Sequence, residues 1–202
     1  MSYYIDRNAK SQPSLTEMTR RALEILHSET QDSPFGFFLL VEGSLIDSAS
    51  HSNDPIAHLH DVLEFNSAFE VARRFIEQVG GILISTSDYE SGGLSLGRDI
   101  TPKYPEYKWL PEVLRNAIHS TRYLAIELVS NNGLFPCCKL VTLDPDVQKF
   151  IENTIMRDGL GIDDATEEEI RTLIAHRSDA SFVDRALADM ISQRAQIGVS
   201  LA

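Results

Sequence analysis

Apolar positions along the chain follow two rhythms. Leu15, Met18, Ala22 and Ile25 recur at helical spacing behind Ser14-Leu15-Thr16-Glu17, a capping-box pattern after Pro13, which predicts a helix to about His27. Phe37 to Val41 is instead an unbroken apolar run with the length of a buried strand, and Ile82-Leu83-Ile84-Ser85-Thr86 is a second. Between them, Pro55 to Gln78 is helical, with Leu59, Val62, Leu63, Phe69, Ala72, Phe75 and Ile76 on one broad face. Asp54-Pro55 reads as its N-cap and first-turn proline, and Gly80-Gly81 as its stop. Strand, helix, strand is a βαβ unit, so both strands are expected to run parallel and finish at one sheet edge. Further helices are predicted from Pro111 to about Val129, after Pro145, behind Thr166-Glu167-Glu168-Glu169, and from about Ala180 to Gln196. The fold class is α/β: a partial, mostly parallel sheet flanked by helices, in one partial domain over residues 1–202.

Composition narrows the partners. Of the 202 residues, 43% are hydrophobic and 24% charged, which is ordinary for a soluble globular protein. The net charge of −12 argues against nucleic acid or an anionic membrane as the main partner. An anionic substrate would need a local cation, for which a bound metal is the obvious source. No stretch approaches the ~20 apolar residues of a membrane span, and Met1-Ser2-Tyr3-Tyr4-Ile5-Asp6-Arg7 is not a signal peptide. The two cysteines, Cys137 and Cys138, are adjacent and make neither a disulfide framework nor a zinc-type spacing.

The chemistry collects where the two strands should end. Glu42, Asp47 and His51 follow the first, and Ser87-Asp88-Tyr89-Glu90 follows the second. The C-terminal edge of an α/β sheet is where such folds build sites. Carboxylates with one imidazole suit zinc or magnesium. The plainer reading makes Asp47 and Asp54 loop caps and His51 a surface residue, and E-x-x-x-x-D-x-x-x-H does not by its spacing decide between the two. Ser48 lies beside Asp47, but nothing local supplies a base, so it is not taken as a nucleophile. His58 and His60 point to different helix faces and are expected to have helix-surface roles, with Asp61 one turn from His58. His27, His119 and His176 have no partner visible in the sequence.

Longer motifs resemble a known family. Glu42-Gly43-Ser44-Leu45-Ile46-Asp47-Ser48-Ala49-Ser50-His51-Ser52-Asn53-Asp54-Pro55 resembles the E-G-x-x-I-D-x-x-x-H-x-N-D-P stretch of alkaline phosphatases, particularly fungal ones. Ile84 to Leu94 resembles their S-T-x-D-H-E-x-G-G-L block. Pro13 to Thr19, Tyr104 to Trp109 and Arg194 to Gly198 are similar to further family blocks, in the family's order. The resemblance implies an alkaline-phosphatase-like fold, metal-dependent hydrolysis of phosphomonoesters, and zinc and magnesium as cofactors. It assigns Glu42 to magnesium, Asp47 and His51 to one zinc, and Asp88 to a second. It also raises a homodimer, or association with a separate N-terminal half, as the mode of assembly.

The departures shape the functional expectation. Tyr89 stands where the family has a histidine on the second zinc, and a phenol is a poor zinc ligand beside imidazole. Leu45 stands where related sequences carry arginine. After Gly198 the family continues into a W-x-x-x-G-H stretch, whereas this sequence reads Val199-Ser200-Leu201-Ala202. The family's nucleophilic serine, an aspartate shared by two metals and a phosphate-binding arginine belong to an N-terminal half not represented here. The ligand count implies weak metal binding and impaired or absent activity for this chain alone. The alternative is a non-catalytic remnant acting as an interaction protein or without function.

Overall fold

The computed structural model describes residues 1–88, 91, 94–98, 108–131 and 145–198. Tyr89, the Cys137-Cys138 pair and Asn132-Gly133 lie outside these residues. Among the described residues the architecture is dominated by helices: α1 (Leu15–Glu29), α2 (Ser44–His51), α3 (Pro55–Val79), α4 (Glu112–Arg115), α5 (Thr121–Asn131), α6 (Pro145–Phe150), α7 (Glu167–Ala175) and α8 (Ala180–Ala195). A single 3₁₀ turn (Tyr4–Asp6) precedes them, and α6 runs into a π-helix (Ile151–Gly159). No helix among the described residues is long and apolar enough to cross a membrane.

The helix starts follow their local chemistry. Ser14 Oγ accepts from the Glu17 amide at 3.1 Å, while the Glu17 carboxylate accepts from the Ser14 amide at 2.7 Å. Thr166 and Glu169 close the same reciprocal box on α7. Asp54 caps α3, with Pro55 in its first turn. The helix expected from Pro111 to Val129 is divided. Ile118 gives its amide to the Gly159 carbonyl at 2.9 Å, and the Ser120 and Thr121 amides go to Asp6 and Asp54. Those donors have buried acceptors elsewhere, so the helix restarts at Thr121 with Ser120 Oγ receiving the Tyr123 amide.

The main core lies in the C-terminal half. Val183, Leu187 and Ile191 of α8 are fully buried and meet Leu124 and Leu128 of α5, Ile155 and Met156 of the π-helix, and Leu173 of α7. Ile56 at the start of α3 joins the same cluster, which ties the two halves together. α1 and α2 pack along α3, and a small satellite core of Tyr3, Ala49 and Ala57 sits where α2 meets α3.

The expected parallel sheet is not formed among the described residues. The sheet present there is two-stranded and antiparallel, β1 (Ser95–Leu96) on β2 (Ile197–Gly198), with Ser95 opposite Gly198 and Leu96 opposite Ile197. Residues 37–43 and 81–88 belong to no ladder. The reason is physical rather than conformational. A strand is defined by hydrogen-bonded neighbours, and 37–42 and 82–87 make no backbone–backbone hydrogen bond among the described residues. Residues 37–43 still lie as a strand in a βαβ unit would, running back along α3. The Phe37 ring centroid is 6.3 Å from that of Phe75, and Gly43 abuts Phe65 so closely that a Cβ there would meet the ring at 2.8 Å. The ten helical residues between those contacts span about 15 Å, more than the roughly 9 Å of six helical residues and less than the roughly 20 Å of six fully extended ones.

Candidate metal centre

The first extended segment ends at Glu42, and α2 begins two residues later. Asp47 and His51 stand one turn apart on α2 and therefore share a face. His51 Nε2 lies 3.4 Å from Asp47 Oδ1. Two donor atoms on a tetrahedral zinc, with bonds of ~2.0–2.1 Å, are themselves separated by about 3.3 Å. The pair is thus spaced to share one divalent cation, although an exposed i,i+4 ion pair has the same geometry. Ser91 Oγ donates to Asp47 Oδ1 at 3.0 Å. That bond falls on the same oxygen that faces His51, and it joins the loop after the second extended segment to the helix after the first.

The cluster stops there. Glu42 and Asp88 are exposed at the ends of their segments. Among the described residues, no three His, Cys, Asp or Glu side chains converge closely enough to hold a metal ion. Tyr89 lies outside those residues. Ser48 is exposed, and its hydroxyl donates to the Ser44 carbonyl one turn back at 3.4 Å, an ordinary helix-surface contact.

Beneath this surface sits a buried acidic hub that the sequence reading missed. Asp54 is almost wholly inaccessible. Its Oδ1 accepts from the Ile56 and Ala57 amides at 3.0 and 2.9 Å, and its Oδ2 from the Thr121 amide at 2.8 Å. One carboxylate thus serves the N-termini of α3 and α5, where the helix dipoles favour negative charge. Thr121 Oγ1 donates in turn to Asp184 Oδ1 of α8 at 2.7 Å. Asp61 Oδ2 accepts the Tyr4 amide at 3.3 Å. Burial raises the pKa of Asp54 despite its hydrogen bonds, and pushes Asp61 and Asp184 up to about 6.

His58 and His60 are half-buried rather than on the helix surface, because the turns after Asp54 face this hub; desolvation lowers both imidazoles. The other histidines have partners too. His119 Nδ1 is 3.1 Å from Asp6 Oδ1 and its ring stacks on Tyr123, His176 stacks on Phe182, and His27 meets Phe75 edge-on. The signal that could have found the hub was Asp54-Pro55 itself, since the cap was legible. Its second helix, far along the chain, was not.

A family model described as alkaline phosphatase matches residues 1–202, the whole chain. The chain belongs to the alkaline phosphatase family. An alkaline phosphatase of Schizosaccharomyces pombe is 45% identical over 98% of this chain, and the repressible alkaline phosphatase of Saccharomyces cerevisiae is 40% identical over 97%. These matches cover 35% and 34% of the two relatives, so this alkaline phosphatase chain spans about a third of their length. The crystal structure of a cold-active alkaline phosphatase from a psychrophilic Shewanella superposes over 99% of this chain and 43% of its own, with a TM-score of 0.71 at 24% identity. That likeness establishes an alkaline-phosphatase-like fold for the segment.

Proposed function

We propose that this chain is the metal-ligand portion of an alkaline phosphatase, and that it hydrolyses phosphomonoesters only together with groups lying outside it. The observation that carries the reading is the Asp47–His51 pair, set at the spacing of two ligands on one cation and steadied by Ser91. Asp47 and His51 take one zinc, Glu42 a magnesium, and Asp88 a second zinc, for which Tyr89 stands where the family has a histidine ligand. When bound, such metals neutralise phosphoryl charge and activate an oxygen nucleophile. The chain's own residues do the positioning. α2 fixes Asp47 and His51 on one face, and the Ser91 hydroxyl orients the Asp47 carboxylate as second-layer partners of metal ligands do.

Two donors fall short of the three protein ligands that a zinc site normally requires. Purified chain titrated with zinc should therefore bind weakly, with Asp47→Ala and His51→Ala each abolishing the binding seen by calorimetry. Hydrolysis of an aryl phosphate in zinc and magnesium should stay at the level of the Asp47→Ala variant. Turnover well above that level would refute the need for outside groups. Tyr89 favours a second reading, a non-catalytic remnant that acts as an interaction protein. If Tyr89→His fails to raise zinc uptake in a chain joined to the missing portion, the remnant reading stands.

A further inference from the structure

We propose that Tyr3 is a positioning residue for the Asp47–His51 pair, and that the Tyr4–Asp6 turn is the strap that holds it against the back of α2. The inference rests on the reading of that pair as zinc ligands and deepens it by naming what keeps the two in register.

α2 needs support from outside itself. It has eight residues, and isolated helices shorter than ~12–15 residues are marginal in water. Its N-cap is Gly43, which supplies no side-chain cap. Ala49 is the one buried residue among its eight. Ala49 stands two residues from Asp47 and two from His51, a rotation of about 200° from each, so it lies on the face opposite the pair. The helix is anchored through the face behind its chemistry. Tyr3 is 8% exposed and clusters there with Ala49 and with Ala57 of α3. Its hydroxyl lies 3.5 Å from the Oγ of Ser52, the C-cap of α2 and the neighbour of His51.

Tyr3 is in turn fixed by a closed set of hydrogen bonds. Three carboxylates each accept a backbone amide from another element. Asp61 of α3 takes the Tyr4 amide at 3.3 Å, Asp6 of the turn takes the Ser120 amide at 3.2 Å, and Asp54 at the head of α3 takes the Thr121 amide at 2.8 Å. The turn, α3 and the start of α5 are therefore each joined to both others. Three elements linked pairwise cannot slide past one another without breaking a link. His119 Nδ1, 3.1 Å from Asp6 Oδ1, reinforces the side between the turn and α5. A ligand pair has to be held within about 0.5 Å of its working geometry. Tyr3 serves this through Ala49 and the α2 backbone, not by touching the metal.

The test makes two measurements on the 202-residue chain: amide exchange at Ser48 to Ser52, and zinc affinity by calorimetry with zinc alone as the probe. Tyr3→Ala should speed exchange of those amides about 100-fold and weaken zinc binding about tenfold. Tyr3→Phe keeps the ring against Ala49 and should stay within about twofold of the parent in both. Asp61→Leu removes the acceptor of the Tyr4 amide without altering a residue of α2 or its satellite core, and should move both readings toward those of Tyr3→Ala. Asp61→Asn still offers an oxygen to that amide and should restore them. Ile174→Ala, in the main core, lowers stability away from the strap and sets the level expected from general loosening. The proposal is overturned if Ile174→Ala speeds α2 exchange as much as Tyr3→Ala does, or if a folded Tyr3→Ala leaves that exchange at the parent's rate. Should Tyr3→Ala not fold, the Asp61 pair decides, and parental exchange in Asp61→Leu overturns it. Zinc binding that survives unchanged while α2 loosens also sinks the positioning role and keeps the zinc reading. A parent that binds no zinc, with α2 still loosened by Tyr3→Ala, keeps the anchor and refutes the zinc reading, so the two fail separately.

Discussion

Replacing Asp54 with alanine removes the acceptor for three backbone amides at once. Ile56 and Ala57 lose the cap of α3, and Thr121 loses the acceptor that ties its amide to that helix start. The site is inaccessible to water, so the amides cannot simply rehydrate. A lost N-cap costs about 0.5–2 kcal/mol, and a buried donor left unmade about 1–3 kcal/mol. Because the two Oδ1 bonds are one cap and relaxation recovers part of the loss, Asp54→Ala should destabilise the chain by about 4 kcal/mol. That is a large part of the ~5–15 kcal/mol that holds a domain together. Asp54→Asn should cost about half as much, because the amide oxygen can still cap α3 but its NH₂ then faces the Thr121 amide. Urea unfolding followed by circular dichroism gives both values from the shift in midpoint at constant slope. Equal effects for Ala and Asn would refute the two-helix bridge, and a loss under about 1 kcal/mol for Ala would refute the whole assignment.

The acidic hub also makes a pH prediction. Asp61 and Asp184 have folded-state pKa values raised to about 6 from 3.8, so the folded state holds their protons more tightly than the unfolded one. Their stabilising effect is full below about pH 4 and is lost as pH rises through about 6. His58 and His60 are shifted downward and oppose this, losing stability as pH falls below 6.5. Relative to the parent, Asp61→Asn/Asp184→Asn should therefore gain stability between pH 4 and pH 7, and urea midpoints that move in parallel would count against the shifts. Gly161 has φ +71°, and a Cβ there would lie 2.4 Å from Asn116 Cβ. Gly161→Ala should cost about 3 kcal/mol, from left-handed strain and overpacking together, and a thermal midpoint within a degree of the parent's would contradict it.

What was legible in the sequence was mostly local. Ser14-Glu17 and Thr166-Glu169 declare helix starts through residues three apart, Asp54-Pro55 does so through neighbours, and the structure realises each one. The family was legible because its motifs are long and ungapped. The break between α4 and α5 was not, since it depends on acceptors at Asp6, Asp54 and Gly159 that no window around residues 116–120 contains. Residues 37–41 and 82–86 were legible as apolar runs, but a run carries no information on whether ladder partners are at hand, and no strand forms there among the described residues. For the candidate centre, the i,i+4 spacing of Asp47 and His51 was readable, whereas Ser91 reaches Asp47 only through the tertiary fold.

The pairing of β1 with β2 has a consequence in time. Ser95 is joined to Gly198 across about a hundred residues, and the Arg98 amide reaches the Gln196 carbonyl beside it. Closing a loop of that length costs about 4 kcal/mol of chain entropy before any contact rewards it, and contacts so distant in sequence form late. Ser91, four residues ahead of β1, is the group that steadies Asp47. The local contacts of α1 to α3 can therefore form early, whereas the β1–β2 pair waits until Ile197 and Gly198 have been synthesised. The helical scaffold thus precedes the one ladder that joins residues 95–96 to 197–198 among the described residues.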